Sequence, residues 1–134
     1  MIKGLLITHG QLGKELIATA ETILETKVDL ECISLDWTED GSHMIHKIEN
    51  YVKKNAENAI IIFTDMFGGS PANICFRFNQ ENIEIITGIN IAGLLKFLTS
   101  RNKKVDLKEF ARSIKKGATD DINIISEYLG EKSK

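Results

Sequence analysis

Ala59-Ile60-Ile61-Ile62-Phe63-Thr64, followed at once by Asp65-Met66-Phe67-Gly68-Gly69-Ser70-Pro71, is the stretch on which the fold turns. The first run is uncharged, rich in β-branched side chains and short, the pattern of a strand covered on both faces of a parallel sheet. Residues 59–64 are therefore expected to form the central strand. The segment that follows reads as a glycine-containing turn, with Pro71 in the first turn of a helix reaching about Phe78.

Working outward, Ile2–Thr8 is a second compact apolar run, stopped by Gly10. Gly13–Glu25 places Leu16, Ile17, Ala20, Ile23 and Leu24 at helical spacing, with charges on the other face. Leu30–Leu35 reads as a strand, and Asp40–Asn55 as a helix with Asp40 or Ser42 available as N-cap. Beyond the turn, Ile83–Thr87 is a fourth strand, and Asn90–Ser100 and Leu107–Lys116 are amphipathic helices. The tail Ile122–Leu129 is β-branched and compatible with a fifth strand or a continuing helix; strand is the expectation. Lys103–Asp106 reads as a polar loop, and Glu131–Lys134 as a fraying end. Strands alternating with helices predict an α/β fold: a three-layer α/β/α sandwich with a mostly parallel sheet of order 2-1-3-4.

The 134 residues suit one domain, expected over 1–134, and 43% hydrophobic with 27% charged side chains is ordinary for a folded chain. Seventeen basic against nineteen acidic side chains leave a net charge of -2, which argues against a general nucleic-acid binder. Cys32 and Cys75 stand far apart without CxxC spacing, which argues against a disulfide scaffold or a cysteine-only zinc site. No apolar run approaches membrane-spanning length, and the first residues lack a signal peptide's features, so a cytoplasmic protein is expected.

In an open parallel sheet, ligands bind beyond the carboxyl ends of the strands, where strand order reverses. For order 2-1-3-4 that point falls between strands one and three, which end in Thr8-His9-Gly10 and Thr64-Asp65. An imidazole and a carboxylate are thus aimed at one place from adjacent strands. If Asp65 accepts a hydrogen bond from one ring N–H of His9, the other nitrogen is left unprotonated and nucleophilic, and the carboxylate stabilises the charge that develops on the ring. No serine or cysteine stands near His9, so the histidine itself is the candidate nucleophile. Gly68 and Gly69 allow close backbone approach, and Ser70 offers a hydroxyl at a helix N-terminus, where an anion is favoured. Thr8 completes the expected phosphate-binding set, and Met66 and Phe67 are the expected protein-docking residues beside it.

Gly4-Leu5-Leu6-Ile7-Thr8-His9-Gly10, Asp65-Met66-Phe67-Gly68-Gly69-Ser70-Pro71-Ala72-Asn73 and Gly88-Ile89-Asn90 together resemble the enzyme IIA component of the bacterial sugar phosphotransferase system, mannose/fructose/sorbose family. The resemblance runs from strand one to at least residue 116. It implies a homodimeric α/β protein whose histidine, here His9, takes a phosphoryl group from phospho-HPr and passes it to enzyme IIB. Enzyme IIB then phosphorylates a sugar entering through a membrane permease. The family's partner aspartate falls on Asp65 and its phosphate-contacting serine on Ser70. The resemblance also suggests that Ile122–Leu129 is a strand exchanged between protomers. Some relatives carry a fused IIB domain; with this sequence ending at Lys134, IIB is expected as a separate polypeptide, and because positioning and backbone donors can handle transfer between imidazoles, no metal or other cofactor is expected.

Two other functions fit the fold class less well. A receiver-like signalling domain phosphorylated on Asp65 would need an acidic pair after strand one, where Thr8-His9 stands. An FMN carrier would need a Ser/Thr-rich loop there, where Gln11-Leu12-Gly13 stands. A regulatory IIA paralogue would share every motif. His43 and His46, three apart on a helix, lack a third ligand at matching spacing and read as a solvated face. Cys75 reads as a buried apolar residue, and Trp37 as a packing residue after strand two.

Overall fold

The computed structural model describes residues 1–35, 41–102 and 104–132. Trp37, the candidate cap Asp40 and Lys103 lie outside them. Four strands, β1 (Lys3–His9), β2 (Glu31–Leu35), β3 (Ile60–Thr64) and β4 (Ile83–Ile86), form one parallel sheet of order β2-β1-β3-β4. Between and after them run α1 (Leu12–Leu24), α2 (Gly41–Lys54), α3 (Gly69–Cys75) with a 3-10 turn at Phe76–Phe78, α4 (Ile91–Ser100), α5 (Leu107–Asp120) and α6 (Ile125–Lys132). The expected α/β/α sandwich and strand order are both present.

Strand alternation divides the core into two layers. Leu5, Ile7, Ile60 and Ile62 face Met44, Ile48 and Tyr51 of α2 and Cys75 beyond them. Leu6, Ile61 and Phe63 face Ala20, Leu94, Phe97, Phe110 and Ile114 of α1, α4 and α5. Every residue of β3 is buried, as expected for a strand with neighbours on both sides and helices on both faces. Asn90 caps α4 by accepting from Gly93 N at 2.8 Å, and its amide donates to Ala118 O at 2.9 Å, so the Gly88-Ile89-Asn90 segment ties β4 to both following helices.

Three expectations need correction. The helix expected to end at Lys116 continues to Asp120. Gly117 does not stop it, because the small residues let α5 lie close to α4: a Cβ on Gly93 would stand 2.9 Å from Ala118 Cβ. The helix expected from Pro71 to about Phe78 begins at Gly69, ends at Cys75 and tightens into the 3-10 turn. The expected C-terminal strand is absent: Ile125–Lys132 is helical, and no strand of this protomer's sheet comes from the segment. Ile122, Ile124, Ile125 and Leu129 are all exposed, so within one protomer no sheet edge holds the segment extended.

Candidate active site

The carboxyl ends of β1 and β3 lie side by side, and the register pairs Ile7 with Thr64. His9 and Asp65 are the next chemically reactive residues on each. A single carboxylate oxygen holds the histidine twice. Asp65 Oδ2 accepts from the His9 backbone N–H at 3.0 Å and from the ring at Nδ1, 2.8 Å away. Because an ionised carboxylate only accepts, the ring proton lies on Nδ1 and the lone pair on Nε2.

Burial pushes the Asp65 carboxyl up, but the two bonds from His9, joined by the ring's charge once it is protonated in acid, outweigh it and hold the carboxyl below its ordinary value. Asp65 is thus the anion of the pair. Its side chain is 10% exposed, and its second oxygen, Oδ1, is buried without a hydrogen-bond partner. The His9 side chain is 28% exposed and faces outward over the loop that follows Asp65.

That loop takes its shape from glycine. Gly68 and Gly69 have φ of 81° and 77°, conformations that L side chains rarely adopt. A Cβ on Gly69 would stand 3.4 Å from His9 Cε1 and 3.8 Å from Nε2. The absent side chain therefore lets the loop backbone come close to the Cε1–Nε2 edge of the ring. Ser70 is exposed in the first turn of α3, and the buried Pro71 anchors that turn. Thr64 steadies the turn by donating to Met66 O at 3.3 Å.

A family model described as the PTS system fructose IIA component, of the mannose type, matches residues 4–115. The chain belongs to this family. This IIA-type chain is 30% identical over 98 residues to the mannose-specific EIIAB component of Escherichia coli K12, covering 71% of the chain here and 30% of that protein. It thus spans under a third of the length of the curated relative. Its fold matches a PTS IIA protein associated with the fucose utilization operon of Streptococcus pneumoniae, with a TM-score of 0.81, 26% identity and 96% of each chain covered. It also matches phosphotransferase system component EIIA of Streptococcus agalactiae, with a TM-score of 0.84 at 18% identity, covering 95% and 99% of the two chains. All the motif residues, from Gly4 to Asn90, lie inside the matched span.

Of the six expected site residues, the IIA-type chain brings His9, Asp65 and Gly69 into direct proximity. Gly68 shapes the loop, and Ser70 lies one residue beyond Gly69. Thr8 does not face the site. It is fully buried, and its hydroxyl turns inward to accept from Gly13 N at 2.8 Å. Strand alternation is the reason: Thr8 shares the face of Leu6, while His9 shares that of Leu5 and Ile7. Met66 and Phe67 are exposed at the rim, Phe67 at 79%. Phe76, whose ring centroid is 6.4 Å from that of Phe67, joins them there, and nothing in the sequence marks it as exposed. His43 and His46 lie on the exposed face of α2, and among the described residues no cluster of three His, Cys, Asp or Glu could hold a metal. Among them too, no helix is long and apolar enough to cross a membrane.

Proposed function

We propose that His9 is the phosphoryl carrier of a sugar phosphotransferase system, taking the group from phospho-HPr and giving it to enzyme IIB. The observation that supports this most directly is the 2.8 Å contact of Nδ1 with Asp65, which puts the ring proton there and turns the other side of the ring towards the glycine loop. Nε2 attacks the phosphorus of the donor's phosphohistidine. The new P–N bond forms as the old one breaks, and the donor imidazole leaves with its electron pair. The Nδ1 proton stays on Asp65's side of the ring, and the carboxylate balances the positive charge that grows on the imidazole. Backbone N–H groups of the Gly68–Ser70 loop and the Ser70 hydroxyl receive the phosphoryl oxygens. Transfer to enzyme IIB reverses these steps, and the sugar is met further on, at IIB and the membrane permease. Positioning and fixed dipoles suffice for this exchange, so no metal is required. The protein acts in the cytoplasm.

Asp65 is poorly placed to be the phosphorylated group itself. One of its oxygens is engaged by two N–H donors and the other is buried, so neither is presented to an incoming phosphorus. Incubation with phospho-HPr tests the proposal. One acid-labile, alkali-stable phosphate on the wild type and none on His9→Ala is expected. An alkali-labile phosphate on Asp65 would overturn it.

A homodimer is part of the same proposal. β4 is an edge strand, and beside it runs a groove of about 420 Å³ into which Lys108, Arg112 and Lys115 of α5 project. The exposed Ile122, Ile124 and Ile125 follow directly on Asp120 and Asp121, so a second copy's C-terminal segment matches the groove in both apolarity and charge. Sedimentation analysis, with Ile122 and Ile124 replaced by Ser as the control, distinguishes dimer from monomer.

A further inference from the structure

We propose that Thr8, one residue before the histidine and buried away from the site, is a positioning residue that fixes His9 by pinning the start of α1. The proposal rests on His9 being the phosphoryl carrier.

His9 sits in a short connection between β1 and α1. One end is held by the bonds between His9 and Asp65, and by Gly10 N donating to Leu35 O at 3.2 Å. The other end has no cap of the ordinary kind: Gln11, at the N-cap position of α1, makes no side-chain capping bond. Thr8 Oγ1 takes that part by reaching across the connection to Gly13 N at 2.8 Å, in a buried setting. This buried hydrogen bond thus ties the α1 end of the loop that presents the imidazole back to β1.

The packing leaves this clamp no inward slack. A Cβ on Gly13 would lie 2.4 Å from Cys32 Sγ and 2.8 Å from Thr8 Oγ1, so α1 already touches the sheet as closely as backbone allows. Without the hydroxyl, the Gly13 N–H is a buried donor with no acceptor, a state that proteins avoid. The remaining freedom is outward, where the N–H meets water. Such a movement starts four residues from His9 and shifts the ring against both Asp65 and the Gly68–Gly69 loop. Catalytic geometry is sensitive to displacements well below the size of a side chain.

Thr8→Val keeps the shape and removes the hydroxyl; Thr8→Ser keeps the hydroxyl. The expected result is a single-turnover rate from phospho-HPr about tenfold lower for Thr8→Val, with an unchanged KM for the donor and near wild-type behaviour for Thr8→Ser. Imidazole 15N shifts of His9 supply the second readout. They should show the Nδ1-protonated tautomer dominant in the wild type and Thr8→Ser, and diluted in Thr8→Val. Where Thr8→Val does not fold, Thr8→Ala removes the same acceptor with less bulk. A removal variant with wild-type 15N shifts and a wild-type rate overturns the proposal. If the wild type accepts no phosphate at all, the carrier assignment has failed instead, and the 15N shifts still decide whether Thr8 positions the ring.

Discussion

Gly69→Ala separates the two parts that the loop glycines play. The first is conformational. At φ of 77° an L residue pays about 1–2 kcal/mol. For a chain of this size that is a fall in Tm of about 4–7 °C. The second is steric and specific to the site. The new methyl would sit 3.4 Å from Cε1 and 3.8 Å from Nε2, ordinary contact distances that leave the unphosphorylated ring undisturbed. A phosphoryl group on Nε2 is far bulkier than the lone pair it replaces, so a methyl 3.8 Å from that nitrogen is expected to crowd it and shift the ring or the loop. A displacement of about 1 Å at reacting atoms costs about 10²-fold, and a loss of at least that order is expected in the single-turnover rate from phospho-HPr.

Gly10→Ala is the matched control. Gly10 also has positive φ, at 53°, and also adjoins His9, but a Cβ there meets nothing within 4 Å. It should lower Tm by a similar amount and leave the rate near that of the wild type. Equal kinetic losses in both variants would show that strain alone is responsible. An undiminished rate in Gly69→Ala would show that the phosphoryl group does not occupy the space beside Gly69.

Asp65→Asn should fold and transfer about 10²-fold more slowly, because the amide presents N–H where the ring nitrogen needs an acceptor; a near-normal single-turnover rate would remove Asp65 from the chemistry. The same variant reports on pH. The Asp65 carboxyl lies below its ordinary value of 3.8, so its stabilising contribution is complete above that value and is lost as pH falls through the lower folded one. Wild type and Asp65→Asn should thus differ in Tm by a constant amount at neutral pH and converge only below about pH 4. Phe67→Ala should raise KM for phospho-HPr about tenfold with kcat preserved, as for the loss of an exposed aromatic anchor, and a changed kcat with constant KM would place Phe67 at the chemistry. Transfer in excess chelator should proceed at the full rate; a strict requirement for magnesium would contradict the proposed mechanism.

The parts of the fold legible in the sequence are those where burial is complete. β1 and β3 carry uninterrupted apolar runs because helices cover both of their faces, and once they are adjacent their carboxyl ends bring His9 and Asp65 together. The His9–Asp65 contact is legible for the same reason: a strand end fixes where its next residue goes. Thr8 adjoins His9 in sequence, but the two-residue alternation of a strand places it with Leu6, away from the site. The end of α5 was missed because a glycine that usually stops a helix here serves close packing against α4.

The tail shows what a single chain's pattern leaves undecided. Ile122-Asn123-Ile124-Ile125-Ser126 has the alternation and β-branching of a strand, whereas Ile125, Tyr128 and Leu129 lie three and four apart as on a helix. Both patterns call for an apolar surface to bury against, and Ile122, Ile124 and Ile125 are exposed in the protomer. Helix is the conformation that satisfies backbone hydrogen bonds without a neighbour, through contacts such as Tyr128 N donating to Ile124 O at 3.0 Å. A strand needs an edge to pair with, and the open edge is β4. Propensity within the segment is therefore secondary. If a second molecule offers its β4 edge, as the proposed homodimer would, the form of the tail and the oligomeric state should change together.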